Sequence, residues 1–421
     1  MNRLAQFLHY AQKVFGLKTL LRGVRDERPL AQIPTCAVLI SLVLGVALRI
    51  SSYLDLSQQT KRRCWRRLCG LKAPISDDTF EYVTERLSLE DLRQGLAGLA
   101  KTLKANKALE SCKINGLLFV SLDANEHFKS RSRCCACCSQ RQVEETDVDG
   151  QKHKVIEYYH RYVFAQINGP KINVLLDLEP IRPGEEECSA ALRLLGRMRR
   201  VYGPRFFDAI TVDAWYVQGP FLRAVEKLRW QWVVVLKRQD MEVYQEARQL
   251  SQGQKPVTFD DKPRNRQVRL WEVKDLNFSQ EYGQLVRVVR SEEQWMEKRV
   301  RGGRKRSEPR QSQWVWAASA GLNGSTAQVI YQAGHRRWGI ENKAFNELTQ
   351  AYHLEHCYHH EPVSMLAQML ILLLGFTLFT AFSELHCKVV RLGETTLKAL
   401  AHDLDLALAE DLRWEQWFES G

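Results

Sequence analysis

The sequence lacks internal repeats and low-complexity tracts. Its 45% hydrophobic and 26% charged residues match neither a disordered, a collagen-like nor a polytopic membrane protein. The first residues, MNRLAQFLHYAQKVF, lack the long apolar core and small-residue cleavage site of a signal peptide, so we expect none. With 421 residues the chain is too large for a small disulfide scaffold, and this length allows two to four domains.

Acidic residues are fewer than basic ones, at 49 against 61, which gives a formal net charge of +12. This surplus predicts a polyanionic partner, either nucleic acid or an anionic membrane surface. Apolar runs that could span a membrane are scarce: residues 36–48 are too few, whereas 362–383 have the length and carry no formal charge. Polar side chains within 362–383 favour a buried core helix, and the membrane alternative rests on length alone. We therefore expect no membrane partner.

The hydrophobic pattern divides the chain into five parts. We predict an N-terminal helical DNA-binding domain over 1–112, a first α/β part over 113–237, a β-rich insertion over 238–322, a second, helical part over 323–393, and a C-terminal helix and tail over 394–421. In the first α/β part, three strands that can run antiparallel are followed by helix, strand, helix, strand, which indicates a mixed sheet. The insertion shows no helical period.

Carboxylates follow two of the predicted strands. Asp123 comes directly after GLLFVSL and Asp213 directly after FFDAITV, at strand ends where side chains emerge into a crevice. A third, Glu341, lies in the helix that follows the insertion. A single Asp at a strand end is usually a turn residue, but three carboxylates suit a pair of hard divalent ions such as Mg²⁺.

This order of strands, with Asp, Asp and a late helical Glu, resembles the RNase H-like core of DDE-type insertion-sequence transposases. It is most similar to the IS-four-like group, whose β-rich insertion lies between the second Asp and the Glu. The carboxylates are 90 (213 − 123) and 128 (341 − 213) residues apart, and the resemblance covers roughly 113–360. It implies an α/β fold with an RNase H-like, retroviral-integrase-like mixed sheet of five strands, flanking helices and an N-terminal all-α domain.

The most specific stretch is HRRWGIENKAFNEL. In the Tyr-Arg-Glu-Lys signature of the group, the Arg and Glu fall on Arg337 and Glu341, one turn apart if the helix is regular. The Tyr position is Gly334 and the Lys position is Leu348, so this sequence departs from the signature at both. Tyr331 lies one turn before Gly334.

The resemblance implies a transposase that binds the terminal inverted repeats of its element, cuts there by metal-assisted hydrolysis and joins the 3′-hydroxyls to target DNA. Asp123, Asp213 and Glu341 would hold two Mg²⁺ or Mn²⁺ ions, and Arg337 would position a phosphate or form an ion pair within its helix. A homodimer in a synaptic complex and a cytoplasmic, nucleoid-associated location of bacterial type are also implied. The alternatives are a catalytically silent DNA-binding descendant and a stand-alone RNase H-like nuclease.

Basic and aromatic residues supply candidate DNA contacts. Trp65 among the arginines of TKRRCWRRL (60–68) favours such a contact, whereas a solvated helix face is the simpler interpretation. Trp215 and Trp338 are interpreted first as core aromatics and second as stacking partners for bases. The candidate DNA contacts are Lys61, Arg62, Arg63, Lys237, Arg238, Arg304, Lys305, Arg306, Arg336, Arg337 and Trp338.

Four of the eleven cysteines crowd into RCCACCS. A Cys-x-x-Cys pair is present in two registers, Cys135 with Cys138 or Cys134 with Cys137, and structural zinc wants four N or S ligands. A subset of the resembling transposases has Cys-x-x-Cys followed by Tyr-Tyr-His, which favours Cys135, Cys138 and His160.

His127 is the expected fourth ligand of this zinc site, with His153 as its rival. The alternative is a reduced loop that is rich in thiols. In YHLEHCYHH, His356 and His360 could bind metal, but satisfied or solvent-facing histidines are the favoured interpretation there.

Overall fold

The computed structural model describes residues 2–147, 150–301 and 304–409. Contacts divide the chain into two compact units. Unit 1 comprises Met1–Cys112, Ala124–Tyr202 and Ile340–Gly421, and unit 2 comprises Lys113–Asp123 and Gly203–Gly339. This division cuts across the predicted boundaries, because each unit takes in segments far apart in the sequence.

Unit 1 opens with helices, in line with the helical pattern of 1–112. Serine side chains begin several of them: the Ser76 hydroxyl accepts from the Thr79 N–H at 3.3 Å, and the Ser88 hydroxyl accepts from the Asp91 N–H at 3.2 Å. The helices are α1 (Arg3–Phe15), α2 (Leu17–Arg22), α3 (Thr35–Ala47), α4 (Tyr53–Thr60), α5 (Arg63–Cys69), α6 (Asp77–Thr84) and α7 (Leu89–Ala105).

The apolar segment that could have spanned a membrane is a core helix of unit 1. It forms α13 (Pro362–Ala381), which packs against α3, α6 and α7. It is the one segment of the described chain with the length and composition to cross a membrane, and 94% of its most apolar window is buried inside the protein. The other C-terminal helices of this unit are α12 (Asn346–Tyr352), α14 (Lys388–Arg391) and α15 (Leu397–Ala409), and the predicted tail over 410–421 lies outside the described residues.

Strands and one further helix complete unit 1. The strands are β2 (Ser139–Thr146), β3 (Lys152–Ile167) and β4 (Val174–Ile181), and the helix is α8 (Glu187–Tyr202). β3 pairs antiparallel with both β2 and β4. The sequence pattern missed β2, whose polar residues alternate between half-buried and exposed and contain no apolar run.

β1 (Phe119–Ser130) begins in unit 2 and continues into unit 1. The prediction that the first strand ends at Asp123 was wrong, because β1 continues to Ser130, and β3 is its neighbour in the strand order on the side away from β5.

Unit 2 is built on a mixed sheet. β1 pairs parallel with β5 (Ala209–Val212), and β5 pairs parallel with β6 (Gln231–Val235). The sheet continues by antiparallel pairing through β10 (Arg304–Ser319), β9 (Leu285–Arg301), β8 (Arg266–Asn277) and β7 (Val257–Asp261). The strands of the insertion therefore extend the sheet of the α/β part, and the sheet has more strands than the five predicted.

Three helices accompany this sheet: α9 (Gly219–Lys227), α10 (Glu242–Ser251) and α11 (Ala327–Arg336). α10 corrects the expectation that the insertion has no helix. This helix is short, and it buries only Val243, Ala247 and Ser251, so its apolar stripe is too sparse to mark a period in the sequence.

Candidate functional site

The two aspartates are placed side by side by the register of two parallel strands. Ser121 of β1 pairs with Thr211 of β5, and their buried hydroxyls are 2.9 Å apart. Both aspartates follow two residues later, so the same register brings Asp123, within β1, level with Asp213, which directly follows β5. The carboxyl end of a parallel strand such as β5 is where α/β sheets hold ligands. The prediction that these two strands are adjacent is confirmed.

Asp123 is held by a buried arginine. Arg337 Nη1 donates to Asp123 Oδ2 at 3.0 Å, and the Arg337 side chain is 2% exposed against 17% for Asp123. A charge-assisted bond of this kind fixes the orientation of the carboxylate. Arg337 also lies over the Trp338 ring, 4.7 Å from its centroid. The Arg337 side chain thus contacts a carboxylate of the candidate site directly.

Asp213 begins a short turn. Its Oδ1 accepts the Trp215 N–H at 2.8 Å and so caps the 3₁₀ turn Ala214–Tyr216. Trp215 is 65% exposed, which corrects its interpretation as a core aromatic. The next residue, Tyr216, is fully buried and packs against Phe221 at 5.1 Å, so the anchoring position in this turn belongs to Tyr216.

A buried charge network supports the helix that leads to Arg337. Glu293 of β9 is fully buried, and His335 Nε2 of α11 lies 2.6 Å from its Oε1. Arg266 and Arg264 also bond Glu293. Burial acts to raise the pKa of Glu293, but His335 and the two arginines prevail and lower that pKa to about 2. An ionised Glu293 therefore ties the end of α11 to the inserted strands.

The departure from the Tyr-Arg-Glu-Lys signature at Gly334 has a packing reason. A Cβ at Gly334 would lie 2.1 Å from Trp316 Nε1, so no larger residue fits. Tyr331, one turn earlier, donates from its hydroxyl to Asp261 Oδ2 at 2.8 Å and accepts from Arg264 at 2.7 Å. The Tyr331 hydroxyl thus belongs to the charge network of α11.

Glu341 lies in unit 1, in the π-helical stretch Ile340–Phe345 that continues into α12. The regular α-helical spacing assumed between Arg337 and Glu341 does not hold, because α11 ends at Arg336 and the π-helical stretch begins only at Ile340. π-helical turns occur often at functional sites. Leu348, at the Lys position of the signature, is fully buried, so the core of unit 1 uses this position. The participation of Glu341 in a metal site stays a prediction.

The predicted DNA contacts lie in different settings. Lys61 and Arg63 are exposed, Arg62 is half-buried, and Trp65 is fully buried with its Nε1 donating to Ser41 Oγ at 2.6 Å. Trp65 is therefore a core residue and adds nothing to a DNA-contact surface. Arg336 and Trp338 are half-buried, and Trp338 packs edge-on against Trp314 at 5.7 Å.

Lys237 and Arg238 are exposed just after β6, and Arg238 pairs with Asp240 at 2.6 Å. The remaining candidates lie at the end of the β9–β10 hairpin, where backbone pairing continues to Arg301 and Arg304. The side chains of Arg304, Lys305 and Arg306 lie outside the described residues.

A second site is a cluster of Cys and His side chains in unit 1. Cys135, Cys138, His160 and His360 place one donor atom each within 4.8 Å of one another. Burial lowers the pKa of His160 to about 4, so its imidazole is neutral and able to bind a metal. Burial also raises the pKa of the Cys138 thiol to about 11, so a metal that binds Cys138 must displace its proton. These four residues form a possible Cys/His metal site.

The structure unites Cys135, Cys138 and His160 of the predicted set and places His360 where His127 was expected. His127 is buried, and its Nδ1 contacts the backbone carbonyl of Leu354. The tract YHLEHCYHH was the available signal for His360. Its other histidines have partners, since His353 contacts the Arg49 carbonyl at 3.1 Å and His359 contacts Glu85 at 2.9 Å.

Comparison with known proteins gives one family match. Residues 181–378 match the sequence profile of the family described as "Transposase DDE domain". The matched range contains Asp213 and Glu341 and begins after Asp123. It supports a DDE-type transposase and, with it, transposition and DNA recombination. No curated protein matches this chain.

Among solved structures, one similar chain is described as "Cryo-EM structure of piggyBac transposase synaptic complex with hairpin DNA". It is 13% identical in sequence, and the alignment covers 100% of this chain and 82% of that chain, with a TM-score of 0.41. A likeness of this strength supports no conclusion about this chain.

Proposed function

We propose that this chain is a DDE transposase that binds the terminal inverted repeats of an insertion sequence, cleaves DNA there and joins the ends to target DNA. The observation that carries the proposal is the parallel β1–β5 register, from which Asp123 of β1 and Asp213 after β5 are expected to lie close together. Two carboxylates so placed offer hard oxygen donors on a rigid support. The family match over 181–378 is consistent with this chemistry.

Asp123, Asp213 and Glu341 would hold two Mg²⁺ or Mn²⁺ ions. When bound, such ions activate the attacking oxygen and stabilise the leaving oxygen of a phosphoryl transfer. The residues fit the ions by donor type, since carboxylate oxygen is the ligand that Mg²⁺ and Mn²⁺ prefer. The RNase H-like, IS-four-like assignment is part of this proposal and rests on the strand order and on the insertion before Glu341.

Arg337 would act through Asp123. Its guanidinium is always charged, and its 3.0 Å bond to Asp123 Oδ2 orients that carboxylate. This contact favours a role in holding a metal-binding carboxylate over the ion pair within its own helix. Positioning a substrate phosphate remains a second role that a charged Arg337 could perform.

Double-stranded DNA is the proposed partner. The net charge of +12 provides the attraction to phosphate, and the exposed Lys61, Arg63 and Lys237 are candidate backbone contacts. We expect a homodimer in a synaptic complex, because two element ends must be joined together. We also propose the cytoplasmic, nucleoid-associated location of bacterial type that the resemblance implies.

The second proposed cofactor is a structural zinc ion at the Cys/His cluster of unit 1. Thiolate and imidazole are donors that zinc accepts readily and that Mg²⁺ does not favour. Ligand chemistry would therefore direct zinc to the Cys/His cluster and Mg²⁺ to the carboxylates. The alternative, a reduced thiol-rich loop, does not explain why His160 and His360 both contact Cys138.

The proposal is tested with purified full-length protein and DNA that carries the two ends of the element encoding it. We expect cleavage at the ends and strand joining with Mg²⁺ or Mn²⁺, and neither with EDTA. Binding without cleavage in Mg²⁺ would favour the silent DNA-binding descendant. Cleavage without joining would favour a stand-alone nuclease. The proposal would be overturned if the protein failed both to bind and to cleave end DNA.

A further inference from the structure

The donor atoms of the Cys/His cluster have the spacing of a metal coordination shell. The two sulfurs of Cys135 and Cys138 are 3.7 Å apart, and the Nε2 atoms of His160 and His360 are 3.3 Å apart. Three of the four sulfur-to-nitrogen distances are 3.5 Å from Cys135 to His160, 3.2 Å from Cys138 to His160 and 3.4 Å from Cys138 to His360, and the fourth, from Cys135 to His360, is within 4.8 Å. Tetrahedral zinc with ordinary bond lengths has edges of about 3.8 Å between sulfurs, about 3.3 Å between nitrogens and about 3.5 Å between the two kinds.

We propose that His360 completes a closed Cys₂His₂ zinc site with Cys135, Cys138 and His160, and that the bound ion fastens the segment 353–361 to the turn between β1 and β2. The inference rests on the zinc ion proposed above and does not depend on DNA cleavage. With four protein ligands the ion keeps no open position, which is the pattern of a structural site and not of a catalytic one.

The turn that carries both cysteines is shaped for metal binding. The Cys138 N–H donates to the Cys135 carbonyl at 3.1 Å, which closes the turn. The Cys135 N–H points at Cys138 Sγ at 3.3 Å, and a backbone donor of this kind stabilises a metal-bound thiolate. A disulfide is a poor account of the pair, because 3.7 Å between the sulfurs far exceeds the bond length of about 2.05 Å.

His160 and His360 approach the turn from separate parts of unit 1. His160 lies on β3, whereas His360 lies in the segment 353–361 between α12 and α13. The Phe128 ring of β1 contacts the His360 ring at 4.5 Å and so packs beside the cluster. Cys138 and His360 are 222 residues apart in the sequence, so a shared ion would close a long loop.

The rival ligands do not join the cluster. Cys134 and Cys137 are exposed, and neither belongs to the group of converging donors found among the described residues. His153 faces Glu145 at 3.9 Å. His356 stacks edge-on against Tyr358 at 4.9 Å. The 135/138 register with His160 and His360 is therefore the ligand set that the geometry supports.

The experiment measures zinc in the purified full-length protein by elemental mass spectrometry, together with free thiols and with affinity from competition against a chromophoric chelator. We expect one zinc per chain. Cys138→Ser and His360→Ala should each lower zinc affinity at least about 100-fold, whereas His127→Ala and Cys137→Ser, the matched controls, should leave it within about threefold. Zinc lost in His127→Ala but retained in His360→Ala would overturn the ligand set, and no zinc in protein with intact thiols would overturn the site.

A second variant covers the case in which His360→Ala does not fold. His360→Cys keeps a zinc ligand at the same position, so it should retain one zinc per chain. After replacement of zinc by Co²⁺, the thiolate-to-cobalt absorption of His360→Cys should rise by about half, because three thiolates replace two. An unchanged cobalt spectrum in His360→Cys would show that residue 360 does not bind the ion. End cleavage, measured separately, tells a failure of this site from a failure of the transposase proposal.

The proposed fastening is tested by limited proteolysis of the metal-loaded and the chelated wild-type protein. Removal of zinc should raise the cleavage rate within 130–139 and 353–361 about tenfold or more, because both segments lose their cross-link. Equal protection of both segments with and without metal would overturn the fastening role.

Discussion

The two candidate metal sites are built by opposite means. In unit 1, four soft donors from a turn, a strand and an irregular segment converge until their atoms lie within 4.8 Å of one another. In unit 2, two hard donors lie on adjacent parallel strands, and the orientation of Asp123 is set by Arg337. Burial raises the pKa of Cys138 and lowers the pKa values of His160 and His360, so these donors are neutral and approach one another without charge repulsion. Carboxylates repel each other, so in unit 2 rigid strands carry them and the cationic Arg337 lies beside one of them.

This contrast predicts that the two sites fail separately. Loss of a carboxylate should stop chemistry and leave the fold and zinc content intact, whereas loss of a thiol or imidazole should empty the zinc site and loosen unit 1. The following predictions test that separation, beginning with the largest expected effect.

Asp213→Asn and Asp123→Asn should each reduce end cleavage by a factor of about 10³ or more, since an amide is a weaker ligand for a hard cation and carries no charge. DNA binding and zinc content should stay within about twofold of wild type. Gel-based cleavage and mass spectrometry of zinc check both. Cleavage near the wild-type rate in either variant would remove that aspartate from the metal site.

Glu293→Gln should destabilise unit 2 by about 3–5 kcal/mol, because it removes the fully buried anion that the half-buried Arg264 and Arg266 share. The folded-state pKa of Glu293, about 2, lies below its ordinary value of 4.5, so the stability it provides is present above pH 4.5 and is lost as pH falls from 4.5 towards 2. Urea unfolding should show that the free energy of unfolding of wild type exceeds that of Glu293→Gln by less at pH 3 than at pH 7.

Glu292→Gln is the matched control, because Glu292 pairs with a half-exposed Arg269 at 3.4 Å. This substitution should lower the free energy of unfolding by less than about 1 kcal/mol. EDTA should not change the effect of Glu293→Gln, since this network uses no metal. If the difference in free energy of unfolding between wild type and Glu293→Gln stayed constant from pH 7 to pH 3, the ionised state of Glu293 would be contradicted.

Arg337→Lys should lower the cleavage rate about 10-fold to 100-fold while DNA affinity changes little. Lysine keeps the charge but cannot reproduce the planar geometry by which the guanidinium orients Asp123. The single-turnover cleavage rate and the DNA affinity, measured separately, distinguish this role from a phosphate contact. A loss confined to DNA affinity would show that Arg337 serves the substrate and not Asp123. Arg336→Lys is the neighbouring control.

Lys237→Ala should weaken DNA binding about twofold to threefold and reduce the salt slope of log affinity by about one. Arg238→Ala should change less, because Asp240 already pairs with Arg238. Titrations at several salt concentrations measure both slopes. An unchanged slope in Lys237→Ala would remove Lys237 from the DNA contact, and neither variant should alter zinc content.

Local pattern predicted much of the fold. The apolar runs that end at Leu122 and Val212 indicated the two strands that bring Asp123 and Asp213 together, and the uncharged segment 362–383 indicated the core helix of unit 1. The polar strand β2 and the short helix α10 were missed, since neither carries a clear apolar period. Trp65, a candidate for a DNA-contact surface, is buried, and Trp215, interpreted first as a core residue, is exposed. The burial of a single aromatic depends on the elements that pack around it, which local pattern does not show.

The sequence by itself determined which chemical groups are available and which neighbours along the chain act together: an Asp after each of two apolar strands, and a Cys-x-x-Cys turn that fits one metal. The tertiary structure alone decided that Arg337 reaches Asp123 and that His360, not His127, joins Cys135 and Cys138. The reason is that periodicity reports contacts within a few residues, whereas contacts across 214 or 222 positions depend on how whole elements pack.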